Sequence, residues 1–313
     1  MNSTLFHLSS TMNMNSSNSN FESWFIPIDI INIICNSLII GLSFIFLFLL
    51  ILDKTCHTIP MMLTGNSCLS AFIFGCCMLS MCLRTFQNDR KKIQYQDLFC
   101  VFRAYITYVS CFLFNNSFLL QATYRYFTVI YRYRLYFQSI RFHILVICLT
   151  WIFALLFPIP FVFTGQILYN VDNQICQIYL RLSISMIIIA LWVYGIPITL
   201  IMIVYFKLLR YVHGMSNRIT PVTTLFRAKR ELKMVERILI LVAILVVLGL
   251  PYALFTLMSF FTSPPKYHFR IAYLFVHVSL VFVMMTLFHF TEPLKLSMMK
   301  KIKRRSNITR NIT

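Results

Sequence analysis

Seven apolar runs, each long enough to cross a bilayer, constrain this chain more than any other feature. They lie at roughly Ile28–Leu52, Pro60–Leu83, Phe99–Val129, Phe142–Phe163, Leu182–Leu208, Val235–Phe261 and Ile271–Thr291. A helix needs about 20 mostly apolar residues to span the hydrocarbon. Composition agrees: 59% of the 313 residues are hydrophobic and 12% are charged, where a soluble domain carries about 25% charge. The expected fold class is an all-α integral membrane protein, a bundle of seven transmembrane helices.

The net charge of +19 is better explained by topology than by nucleic acid, and no nucleic-acid partner is expected. No Lys or Arg precedes Lys54, so the first run has an uncharged or acidic leading flank (Glu22, Asp29) and a basic trailing one. The positive-inside rule then puts the N-terminus outside. An odd number of spans leaves the C-terminus in the cytoplasm. The cytoplasmic segments agree, with Arg132, Arg134 and Arg141, then Arg210, Arg218, Arg227, Lys229, Arg230 and Lys233, then Lys300 to Arg305. Arg90-Lys91-Lys92, on the outer side, departs from the trend. The divisions expected are a disordered outer tail (1–27), the helical domain (28–293), and an amphipathic eighth helix with a basic tail (294–313). The protein is expected to be multi-pass in the plasma membrane, its basic inner face against the anionic leaflet.

Eight of the ten cysteines lie in or beside apolar spans, where a thiol packs as a small hydrophobe. Cys100 opens the third span and Cys176 lies between the fourth and fifth. Both face the oxidising side, where they are able to pair. Such a bridge would pin the loop over the mouth of the bundle.

On these residues the chain resembles the rhodopsin-like G-protein-coupled receptors, from about Asn36 to Lys301, and is similar to their divergent invertebrate members. In that family the third helix opens with the disulfide cysteine and ends in an acid-Arg-aromatic triplet; here Tyr124-Arg125-Tyr126 stands at that distance. The resemblance makes Arg125 the family arginine and Glu231, twenty residues before Pro251, its resting-state partner. An arginine at a helix end also snorkels to the interface without any switching role. Trp151 with Pro158 and Pro160, Pro197 with Tyr205, Pro251 and Pro293 fall where the family keeps its markers. A proline inside a span frees a carbonyl and kinks the helix. Asn36 resembles the family asparagine of the first helix, or makes an ordinary interhelical hydrogen bond.

Several family features are missing. Gly249 stands at the aromatic toggle of the sixth helix, Leu296 replaces the tyrosine after Pro293, Glu292 precedes that proline, and the sodium-binding acid of the second helix is absent. Glu292 is a functional candidate or an acid neutralised near headgroups.

The resemblance implies an extracellular ligand and a heterotrimeric G protein as partners, and no cofactor. A monoamine is excluded by the lack of any acid in the third span, where Thr107 holds the aspartate's place, and retinal by Thr286 at the Schiff-base position. The outer end is basic and aromatic, and Arg103, Thr107, Tyr108 and His277 are the candidate ligand-facing residues. A peptide or anionic ligand would suit such a rim; the same charges also serve as headgroup contacts. The seven histidines never reach metal-ligand spacing and no nucleophile–base pattern occurs, so neither a metal site nor an enzyme is expected. A transporter or channel, or a receptor-shaped protein that no longer signals, are the competing classes.

Asn2-Ser3-Thr4 and Asn15-Ser16-Ser17 are sequons on the outer tail, whereas Asn307-Ile308-Thr309 and Asn311-Ile312-Thr313 fall inside. Glycosidase treatment of protein from cells is expected to increase the mobility of the wild type and not that of an Asn2→Gln/Asn15→Gln variant. A shift retained by that variant would overturn the topology.

Overall fold

The computed structural model describes residues 22–52, 58–131, 134–180, 183–216, 222–262 and 265–290. Pro293, Glu292, Leu296, the four sequons and the expected eighth helix lie outside them. The described helices are α1 (Phe25–Leu52), α2 (Ile59–Lys91), α3 (Cys100–Ile130), α4 (Ile140–Leu156), α5 (Ile159–Phe163), α6 (Ile184–Ile189), α7 (Ile196–Ser216), α8 (Val222–Phe261) and α9 (His268–Phe290). Strands β1 (Ile167–Asn170) and β2 (Ile175–Ile178) form one antiparallel hairpin. Six membrane-crossing candidates emerge by length and apolarity: α1, α2, α4 with α5, α6 with α7, α8 and α9. The 31-residue α3 is long enough but more polar, because Asn115, Asn116 and Gln121 interrupt its apolar residues. Its position accounts for this: α3 packs against α2, α4, α7, α8 and the hairpin, so little of it needs to face lipid.

Local sequence explains the breaks. Pro60 sits in the first turn of α2 after Thr58, where its missing N–H leaves no bond unmade. Pro158 separates α4 from α5. Between α6 and α7 the helix widens into a π turn at Ala190–Gly195, just before Pro197, and such bulges absorb a local misfit in the hydrogen-bond ladder. Ser183 caps α6 by accepting from the Met186 N–H. The 40-residue α8 carries Pro251 in its interior.

Three spans run two turns or more beyond their apolar stretches, α7 by continuing past Leu208 to Ser216. α8 begins at Val222 rather than near Val235. α2 continues to Lys91, two turns past Leu83, and Lys92 closes it in the left-handed conformation (φ 55°). The Arg90-Lys91-Lys92 triplet thus has a local role, since cations at a helix C-terminus are favoured by the helix dipole.

The core alternates large side chains with small ones. Phe46, Phe118, Leu63 and Met78 are fully enclosed, next to Ala71, Ala104 and Ala122 at zero exposure. The outer faces carry Phe44, Phe48, Ile51, Leu156 and Leu254, as a lipid-facing surface requires. α1 lies closely on α2, where a Cβ at Gly75 would stand 3.0 Å from Ile40 Cγ1 and 3.2 Å from Ile39 Cγ2. Gly75→Leu is therefore expected to cost about 1–3 kcal/mol, read as a lower thermal midpoint in detergent. Gly41→Leu, where a Cβ meets nothing within 4 Å, should leave the midpoint unchanged.

Candidate functional site

At the far end of α3, Arg125 Nη1 donates to Glu231 Oε2 at 2.8 Å, joining α3 to α8. The Glu231 side chain is 5% exposed and that of Arg125 15%. Arg230 adds a second cation 3.6 Å from Glu231 Oε1. Tyr124, in the place of the family acid, lies beside the Arg125 guanidinium with its ring centroid 5.4 Å away. The same ring packs edge-on against His143 of α4, 5.1 Å between centroids. Among the described residues Arg125 therefore has one carboxylate partner, and its own helix carries no competing acid. Tyr126 packs against Phe127 and Tyr131. Tyr205 is half-buried on α7, against Phe206.

The middle of the bundle is held by neutral hydrogen bonds. Trp151 donates its indole N–H to Asn66 Oδ1 at 2.8 Å, tying α4 to α2. Ser117 and Gln121 of α3 both donate to Ser67 Oγ of α2 at 2.7 Å. Asn36 donates to the Asn32 carbonyl at 2.8 Å and reaches Cys82 Sγ of α2 at 3.8 Å. Above this layer the Tyr194 hydroxyl, carried on the π turn before Pro197, meets Cys111 Sγ of α3 at 3.2 Å. Tyr108, Tyr194, Tyr252 and Tyr273 lie close enough to influence one another electrostatically. This phenol cluster draws on α3, the π turn, α8 and α9. At Gly249, in α8, a Cβ would meet nothing within 4 Å, so the place of the absent toggle is open space.

The end of the bundle where α1, α3 and α9 begin is closed more tightly than its basic composition suggests. The Cys100–Cys176 disulfide joins α3 to β2 with Cα atoms 5.5 Å apart. It closes a loop of 76 residues, a restriction of the unfolded chain worth about 4 kcal/mol in the chain-entropy account. Tyr108 donates to Gln177 Oε1 and accepts from the Ile178 N–H at 3.3 Å, fixing β2 to α3 a second time. Asn173, in the hairpin turn, donates to the Lys266 carbonyl at 2.9 Å, and its Oδ1 accepts from the Arg270 N–H at 3.3 Å.

None of the four candidate ligand-facing residues is left idle. Arg103 donates to Asp97 Oδ2 at 2.7 Å, and that hydrogen bond holds the Asp97 carboxyl below the usual range. Thr107 donates back to the Arg103 carbonyl at 2.8 Å and touches the sulfurs of Met78 and Met81. Tyr108 is engaged by the hairpin. His277 is fully enclosed, with Nδ1 2.9 Å from Asn32 Oδ1 of α1.

Arg270 is one of the charges that make the outer end basic in the sequence; the structure buries it, 5% exposed, between Asp89 of α2 and Asp29 of α1. Gln174 donates to Asp89 from the hairpin. In the sequence Asp29 had served only as part of the acidic flank that orients the first span. For Asp29 a signal was available, an acid inside an apolar run with no basic neighbour in sequence, since such a group seeks a partner elsewhere in the bundle; Asp89, next to Arg90, carried none.

The model of the seven-transmembrane receptors of the rhodopsin family matches residues 44–289. The solved structure of squid rhodopsin is similar with a TM-score of 0.72 at 18% identity, covering 89% of this chain and 85% of that one. No curated protein matches the chain. The squid likeness at that identity speaks for the fold, whereas the family match extends over most of the sequence. The chain belongs to the rhodopsin family of seven-transmembrane receptors.

Proposed function

We propose that this protein is a plasma-membrane receptor, N-terminus outside, that passes an extracellular ligand signal to a cytoplasmic G protein. In this reading α3 is the remaining span, and the end closed by the hairpin is extracellular. The observation that carries the proposal is the Arg125–Glu231 pair. It bridges α3 and α8 at the inner end, and Pro251 gives α8 a point about which its inner half can swing. A helix pair closed by one charged hydrogen bond is a two-state element that a ligand can bias. Lys229, Arg230 and Lys233 project exposed from the inner part of α8, where opening would present them to an acidic partner surface.

The ligand reading narrows. Arg103 and Arg270 are occupied by Asp97 and by Asp89 with Asp29, which weakens the case for an anion. The phenols of Tyr194, Tyr252 and Tyr273 favour a peptide, or another ligand offering hydrogen bonds and apolar groups rather than net charge. α3 carries no acid for a monoamine, and the described part of α9 carries no lysine for retinal.

A hydrogen bond between charged groups is worth about 1.5–3 kcal/mol, or roughly ten- to a hundredfold in the open-to-closed ratio. Glu231→Ala is therefore expected to raise agonist-independent G-protein activation, and Arg125→Ala to abolish it, at matched surface expression. Silence of both variants and the wild type across G-protein classes would sink the lock and bring forward the non-signalling and transport readings.

A further inference from the structure

The Arg270 cluster does not balance its charges. Arg270 makes a two-pronged contact with Asp89, Nη1 to Oδ2 and Nη2 to Oδ1, the second at 3.1 Å. The same Nη1 lies 3.7 Å from Asp29 Oδ1, so two carboxylates share one guanidinium. All three residues are at most 5% exposed. On its remaining side the guanidinium is covered by the Phe25 ring, 4.1 Å from the centroid. Among the described residues Asp29 Oδ2, Gln174 Oε1, Arg270 Nε and Tyr169 OH are buried without a hydrogen-bond partner. An uncompensated carboxylate in such surroundings is costly, and two carboxylates in contact cannot both remain ionised cheaply.

We propose that Asp29, Asp89 and Arg270 form a proton-binding site, and that uptake of one extracellular proton locks the β1–β2 hairpin over the mouth of the bundle. The ligand is the proton itself. A metal cation fits less well, because Arg270 Nη1 already occupies the space between the two carboxylates and would repel it. The link to the hairpin is direct: Gln174 donates to Asp89, and the neighbouring Asn173 accepts from the Arg270 backbone. Closing the hairpin buries the second carboxylate and requires the proton; opening it admits water and releases the proton. By linkage, falling pH favours the closed form and rising pH the open form, by up to about tenfold in their ratio per pH unit for one proton.

Other titratable groups lie around the site. Tyr169 of β1 interacts with Arg270 and Asp89, and Cys82 of α2 with Asp29 and Arg270. Glu22, Asp172 and Tyr267 stand further out. His277 is turned to Asn32, and His268 to the Pro265 carbonyl.

The accessibility of the site to extracellular protons rests on the orientation proposed above. Proton occupancy is testable apart from signalling, on the full-length receptor in nanodiscs. Infrared difference spectra across pH should show a carboxylic-acid C=O band that is lost as pH rises, with the thermal midpoint falling in parallel. Asp29→Asn and Asp89→Asn each leave the arginine one carboxylate, so each should abolish both pH responses while the protein stays folded. His268→Gln should retain both. Repeating the titration with choline in place of sodium should change nothing. A wild type without the band, a pH response that survives both Asn variants, or a midpoint that follows sodium rather than pH would each overturn the proposal. A pH-dependent band in a protein that activates no G protein would uphold the site while removing the receptor reading.

Discussion

The bilayer core contains no water to hydrogen-bond a backbone amide, and most of this structure follows from that. Every N–H and C=O within a span has to be paired inside the protein, so the long apolar runs are helices and the β1–β2 hairpin lies outside them. Side-chain polarity obeys the same rule. The buried Ser, Thr and Asn groups either return to a carbonyl one turn back, as Ser70 does to Asn66 and Thr85 to Met81, or bridge neighbouring helices, as Trp151 does to Asn66. α3 has no stretch as apolar as those of the six membrane-crossing candidates, and it has the most protein around it. Its Asn and Gln side chains find partners that lipid would not supply.

Charge is confined to the two ends, and the ends differ in balance. At the end where α3 finishes, Arg125 and Glu231 are matched, with Arg230 nearby. A matched pair costs little to hold and something to break, which suits an element that keeps a resting state. At the other end Arg270 faces two acids. There the hairpin, the disulfide and three helices meet, and the excess charge makes closure depend on what neutralises it. The phenol cluster between the two ends is uncharged. Any signal crossing the bundle therefore passes through packing, including the π turn before Pro197 and the proline of α8, rather than through a relay of ions.

Some of this was legible in the sequence. Cys100 and Cys176 could be matched because both lie on one side of the membrane, and the structure joins them. Arg125 and Glu231 were matched through the family resemblance, by their spacing from Cys100 and Pro251, and the structure pairs them. The hairpin cluster was not legible. Asp29, Asp89, Gln174 and Arg270 come from four separate elements with no common spacing, and Arg270 looked like one more rim charge. Arg103 was hidden for the same reason, since its partner Asp97 lies in a loop whose path no periodicity reveals.

By itself the sequence determined what is local or one-dimensional: which segments must be helical, how many apolar runs there are, where prolines interrupt them, and how deep a residue sits along its own helix. Hydrophobicity and the fixed rise of a helix suffice for that. The tertiary structure decided which residues at one depth face each other. It turned Arg103 from a ligand candidate, and Arg270 from a rim charge, into internal partners, carried α2 on to Asp89, and set two acids against one arginine. Those outcomes depend on the rotation of each helix about its axis and on the fold of the hairpin, and both are set by side-chain packing between segments far apart in the chain.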